Sequence, residues 1–164
     1  MQRNGLSMIV MESGLHVDRI SGAEIFEFLS HPTDDNYQRW WPGVHLRLHI
    51  LKHGSNGIGD VIYMDEFIGK RRVQMQGIVT EARTGKQITW QLKKFIRLPV
   101  WLSLDLEDDA GGVTITHTIR AGFKGIGRIV DPILRAFLFS DEFERAMDEH
   151  VKTEFPKLRD MLCS

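Results

Sequence analysis

The segment Tyr37-Gln38-Arg39-Trp40-Trp41-Pro42-Gly43 divides the chain into two kinds of sequence. Before it, the pattern is helical. Ser21-Gly22-Ala23-Glu24 has the form of a capping box, in which a Ser hydroxyl and a Glu carboxylate three residues on satisfy exposed amides reciprocally. It opens a short helix carrying Ile25, Phe26 and Leu29, and His31-Pro32 stops it. Thr33 or Asp34 caps a second short helix containing Tyr37, Trp40 and Trp41, which Pro42 ends. A first strand is expected within Ser7–Arg19.

After Gly43 the period changes to two. Val44, Leu46, Leu48 and Ile50 alternate with His45, Arg47 and His49, which predicts an apolar face and a wet face. Asp60–Ile68 reads as the next strand. Val73, Met75, Gly77 and Val79 alternate with polar neighbours, as do Ile88, Trp90 and Leu92. Val100, Leu102, Leu104 and Leu106 follow, and then Val113, Ile115, His117, Ile119 and Ala121. Turns at Gly54–Gly57, Gly69-Lys70, Thr84-Gly85 and Asp108–Gly112 give hairpin spacing, so the sheet is antiparallel.

The apolar face of such a sheet must be buried, and the last stretch of the chain is the large candidate. Asp131-Pro132 is a helix start signal. Phe143, Met147, Val151, Phe155, Leu158 and Leu162 form a stripe at spacings of three and four, with Pro156 inside it. A continuous helix from Pro132 to Cys163 would be roughly 48 Å long at 1.5 Å per residue, so a break is expected near Ser140. Gly122, Gly125 and Gly127 suggest that Phe123–Arg128, with the apolar Ile129–Phe139 after it, is a flexible gate over the space between sheet and helix.

The chain has 164 residues, 42% hydrophobic and 26% charged, with a formal net charge of −1. That is one domain, 1–164, with a core of its own. The charge gives no global attraction to nucleic acid or to an anionic membrane, and the short basic clusters Lys70-Arg71-Arg72 and Lys93-Lys94 read as solvated turns that an anionic ligand or partner could use. No run is apolar enough to span a bilayer, so no stable membrane insertion is expected. The apolar patch Met8–Met11 is too short for a signal-peptide core, and the expected location is cytoplasmic. Cys163 is the single cysteine and reads as incidental.

With that order of parts, the chain resembles the START/Bet v 1-like superfamily, also called the helix-grip fold, in its polyketide cyclase/dehydrase and lipid-transport branch. The resemblance rests on Val17-Asp18-Arg19-Ile20 leading into Ala23–Leu29, on Tyr37–Gly43, and on the closing helix, and it covers about Leu15 to Leu162. It implies an α+β architecture: a seven-stranded antiparallel sheet around a long C-terminal helix, with two short helices after the first strand. It also implies an apolar cavity between sheet and helix. A small hydrophobic or amphipathic molecule, such as a lipid, polyketide or quinone, is the expected partner. No cofactor is expected.

The candidate chemistry is sparse. His117 shares its face with Val113, Ile115 and Ile119, so its imidazole is either hydrogen-bonded structurally or offered to a ligand. Asp65 and Glu66 are adjacent on a strand, so one of them points inward. The inward carboxylate with His117 would form the acid–base pair of a cyclase or dehydratase. Leu46, Val73, Met75, Trp90, Leu102 and Ile115 are the expected sheet walls, and Phe143 and Met147 the helix wall. Trp41 and Tyr63 are candidates at the mouth and interior. His150 and Glu154 share a helix face and read as a solvated edge pair. His45 and His49 lie roughly 13 Å apart on a strand and the chain has no Cys cluster, so no metal site is expected. Trp101, on the wet face, would mark a partner or homodimer contact, as in an interaction protein akin to chaperone cofactors.

Overall fold

The computed structural model describes residues 8–122 and 140–164. In chain order these form β1 (Ile9–Asp18), α1 (Gly22–Ser30), α2 (Asp34–Trp40), β2 (His45–Lys52) and β3 (Val61–Ile68). β4 (Arg71–Arg83), β5 (Gln87–Lys93), β6 (Arg97–Asp108), β7 (Gly112–Ala121) and α3 (Asp141–Leu162) complete the set. The strands make one antiparallel sheet in the order β1-β7-β6-β5-β4-β3-β2. Six strands are joined as successive neighbours, and β1 is added beside β7, with Met11 opposite Ile119 and Ser13 opposite His117.

The local signals act as the sequence suggests. Ser21 and Glu24 form the capping box of α1, and Thr33 rather than Asp34 caps α2, accepting from the Asn36 amide. Ser140 caps α3 by accepting from the Phe143 amide. The expected break near Ser140 is therefore a helix start, and α3 is 22 residues long, about 33 Å at 1.5 Å per residue. It continues through Pro156. The start expected at Asp131-Pro132 and the gate expected over Phe123–Arg128 lie outside the described residues.

α3 packs on the apolar face of the sheet. Val151, Phe155 and Leu158 of the helix are fully buried, as are Val17, Val100, Val113 and Ile115 of the strands. Burial of this order, at about 25 cal/mol per Å² of apolar surface, is the main term holding sheet and helix together. Gly77 sits where a Cβ would come within 3.2 Å of the Trp90 Cβ, so its missing side chain makes room for that indole.

Two features set the geometry where α2 meets the β2 edge of the sheet. Gly43 adopts φ +80, which lets the chain reverse between α2 and β2. β2 then pairs with β3 through a bulge: His45 lies opposite Glu66 and Arg47 opposite Asp65, so Leu46 is an extra residue. The bulge shifts the parity of the strand. His45 and Leu48 both face inward, whereas simple alternation assigns His45 to the wet face. On β3, Ile62, Met64, Glu66 and Ile68 face the helix, so Glu66 is the inward member of the Asp65-Glu66 pair.

Candidate metal centre

A cavity of about 110 Å³ lies between the sheet, α2 and α3. Met75, Trp90, Leu102, His117, Phe143 and Met147, all expected from the sequence, line it together with Glu66. The other expected wall residues do not. Ile115 is fully buried in the packed core, and Val73 is half-buried on the same face of β4. Leu46 is the bulge residue. Tyr63 is turned to the outer face, where its hydroxyl accepts from Gln74 Nε2 at 3.2 Å. Trp41 lies against the His150 ring, its centroid 4.9 Å away and its plane tilted by 33°, and is not part of the lining.

The floor of the cavity is polar. Glu66, His150 and Glu154 line it, and His45 stands behind them. All four are buried, and their ligand atoms lie within 4.8 Å of one another. Each comes from a separable structural cause. His45 and Glu66 are directly opposite in the β2–β3 register because of the bulge. His150 and Glu154 are four apart on α3, one above the other on a single face. That face is inward, which corrects their reading as a solvated edge: the buried stripe of α3 is broad enough to include them beside Met147, Val151 and Phe155.

The distances do not describe ordinary ion pairs. His45 Nε2 is 3.7 Å from Glu66 Oε2 and 3.5 Å from Glu154 Oε2. His150 Nε2 is 3.4 Å from Glu66 Oε2 and 3.5 Å from Glu154 Oε2. A charge-assisted N–H···O bond is about 2.7–2.9 Å long. His45 Nδ1, His45 Nε2 and His150 Nε2 make no hydrogen bond although they are buried. Buried polar atoms of this kind are rare and call for a partner. The edge of a tetrahedron of ligands around an ion with bonds of about 2.0–2.1 Å is about 3.3–3.4 Å. The four N···O separations therefore outline a hole of ionic size, with two imidazoles and two carboxylates at its corners. Two His and two carboxylates suit Zn²⁺, and also Fe²⁺ or Mn²⁺.

The surroundings hold the donors still. Tyr37 lays its ring on the His45 imidazole, 4.0 Å between centroids and 5° from parallel, and its hydroxyl donates to Glu66 Oε2 at 2.6 Å. Trp40 Nε1 donates to the Glu154 carbonyl at 2.5 Å and ties α2 to α3. These partners fix ring and carboxylate orientations in the way outer partners of metal ligands do.

The electrostatics ask for positive charge. Burial alone would lower the His150 pKa, but the Glu154 and Glu66 carboxylates together raise it to about 10. Burial would raise the Glu154 pKa, and His150 and His45 hold it well below the usual carboxylate range. Burial, reinforced by Glu66, pushes the Tyr37 hydroxyl well above its ordinary value. Burial also lowers His117, against the pull of Glu154 and Glu66, so this imidazole is neutral near pH 7. Two buried carboxylates are costly unless compensated, and without an ion the protonated His150 offsets one of them. A divalent ion with two neutral imidazoles would make the cluster neutral.

Asp65 belongs elsewhere. Its carboxylate faces away from the cavity, takes two hydrogen bonds from Arg72 at 2.8 and 2.7 Å, and accepts a third from Gln74. It does not join His117. Trp101, expected to be exposed, is half-buried on the outer face between Gln91 and Arg120 in register.

No family model and no curated protein matches the chain. Solved structures do. The chain is similar to a norcoclaurine synthase point mutant from Thalictrum in complex with a transition-state analogue, with a TM-score of 0.61 and 16% identity over 99% of this chain and 100% of that one. The chain has the helix-grip fold. It is also similar to ginseng major latex-like protein 151 from Panax ginseng, with a TM-score of 0.59 and 12% identity over 89% of this chain and 98% of that one. A third likeness, with a TM-score of 0.55 and 14% identity, is to the di-domain ARO/CYC StfQ from the steffimycin pathway. There 94% of this chain covers 49% of the other, so the helix-grip chain spans about half of that protein.

Proposed function

We propose that this protein holds a divalent metal ion at His45, Glu66, His150 and Glu154, and uses it to bind and polarise an oxygen of a small apolar molecule in the adjoining cavity. The observation that carries this reading is the set of orphaned imidazole nitrogens 3.4–3.7 Å from two buried carboxylates at the cavity floor. A cavity of about 110 Å³ is near the size of the engineered cavity of about 150 Å³ that takes benzene. The fitting ligand is thus about one ring in size, or the ring-sized end of a larger molecule, with a carbonyl or phenolic oxygen directed at the floor.

Three of the four donors line the cavity, so the ion would face the ligand. Held by His45, Glu66, His150 and Glu154, it would supply Lewis-acid chemistry at that oxygen. His117, on the cavity wall and neutral, is placed to exchange a proton with the bound molecule. Apolar walls of Trp90, Leu102 and Phe143 keep water out and strengthen these interactions.

A second reading retains cyclase or dehydratase chemistry without a metal. Its support is that His117 and Glu66 both line the cavity. It leaves the bare nitrogens of His45 and His150 unexplained, and Glu66 is already engaged by Tyr37. A third reading makes the ion a staple joining β2, β3 and α3.

Cobalt substitution separates the three. Co²⁺ should bind with the intense visible bands of a tetrahedral site. A small β-diketone or phenol should then shift those bands. Binding of cobalt with bands indifferent to every such probe would leave a structural staple. No cobalt binding would return the site to the proton-transfer reading.

A further inference from the structure

The β5–β6 turn presents the largest exposed apolar side chains of the described residues. Phe95 is 91% exposed and Ile96 71% exposed. Leaving two large apolar residues together at a loop tip is unfavourable in water unless something covers them. Lys93, Lys94 and Arg97 flank them, and none of the three forms an ion pair with a described residue. No carboxylate occurs between Gln91 and Trp101. The tip is thus an apolar point flanked by three cations that have no ion-pair partner among the described residues.

Its place in the sheet extends the same surface. Gly122 donates its amide to the Pro99 carbonyl, and the exposed Met8 lies beside Gly122. Gln76 pairs with Lys93, so β4 runs on past the end of β5 toward the exposed Lys70 on the β3–β4 turn. The first part of α3, which carries Asp141, Glu142 and Glu144, meets the β3–β4 turn, with Ala146 by Gly69 and Phe143 under Arg71.

We propose that the Lys93–Arg97 turn docks this protein on an anionic membrane surface, with Phe95 and Ile96 seated among the acyl chains and Lys93, Lys94 and Arg97 among the headgroups. Paired apolar and cationic signals are what peripheral docking requires, since neither alone gives stable attachment. The described residues contain no helix long and apolar enough to cross a membrane, so the attachment is peripheral. The turn joins the two strands that carry the cavity residues Leu92, Val100 and Leu102. Docking there would bring the cavity close to a source of apolar ligands.

The test is co-sedimentation of the full chain with phosphatidylcholine vesicles, with and without phosphatidylglycerol, at low and high salt. Retention by the phosphatidylglycerol vesicles alone, and loss of it at high salt, is the expected result. F95S/I96S should weaken retention about tenfold, and each of K93Q, K94Q and R97Q about fivefold. Lys94, Phe95, Ile96 and Arg97 are exposed and Lys93 is half-buried, and circular dichroism confirms folding; the glutamine variants carry the test if F95S/I96S misfolds. Absence of retention, equal retention by neutral vesicles, or retention unchanged in the variants would overturn the proposal. Self-association abolished by F95S/I96S, with no vesicle binding, would assign the tip to contact between copies and overturn it as well.

Discussion

His45 on β2 and Glu154 on α3 bring Nε2 and Oε2 to 3.5 Å across the end of the cavity, without a hydrogen bond between them. That separation is too long for a buried pair that shares a proton well and suits two ligands of one ion. The same holds for His150 and Glu66 at 3.4 Å. The proposed metal binding rests on this spacing, and its consequences can be measured.

Metal loading should stabilise the fold. An ion at a hundredfold excess over its dissociation constant adds about 2.7 kcal/mol of unfolding free energy. For a chain of this size that is a rise in Tm of about 5–10 °C. Differential scanning fluorimetry with zinc, then with chelator, should show the rise and its reversal. H150A/E154A should show neither.

Tyr37→Phe removes the hydroxyl that donates to Glu66 and leaves the ring on His45. Metal affinity should fall about 10–100-fold, the usual cost of losing an outer partner. Competition with a chromophoric chelator reads this directly, and circular dichroism should stay at the wild-type shape. An unchanged affinity would place Tyr37 outside the site's function.

Leu102→Trp fills the cavity from the sheet side, away from the four donors. Metal stoichiometry should remain unchanged, while the response of the cobalt bands to a small phenol should vanish. A response that persists would mean that the ligand reaches the ion by a route other than this cavity.

Much of this arrangement was legible in the sequence, and the failures are informative. Period-two alternation in β4 to β7 puts Met75, Trp90, Leu102 and His117 on the inner face, because those residues lie in regular pairing. β2 defeated the same rule, since the bulge at Leu46 is a matter of pairing register and leaves no mark in the polarity pattern. With His45 assigned to the wrong face, His150 and Glu154 had no partner and read as a solvated edge. A His and a Glu four apart beside an apolar stripe was the available signal. It gains meaning only when the opposing strand is known to supply a second His and a second Glu. Adjacent Asp65 and Glu66 could not be separated by pattern, and Arg72 and Tyr37 decide which way each points.

Asp65 gives a pH-dependent prediction away from the centre. The Arg72 hydrogen bonds hold its carboxyl below the usual Asp range. A carboxylate depressed in the folded state contributes stability that is present above the unfolded value of about 3.9 and is lost as pH falls through the folded value. Asp65→Asn should therefore lower the urea midpoint at neutral pH, with the difference from wild type shrinking as the solution is acidified below about pH 4. A difference that stays constant with pH would assign the effect to packing.

The most direct measurement is a calorimetric titration of chelator-treated protein with zinc, alongside H45A and H150A/E154A. One ion per chain is predicted for the wild type, with loss of that binding in both variants. Absence of stoichiometric binding to the wild type, or binding that survives in the variants, would contradict the metal-centre account.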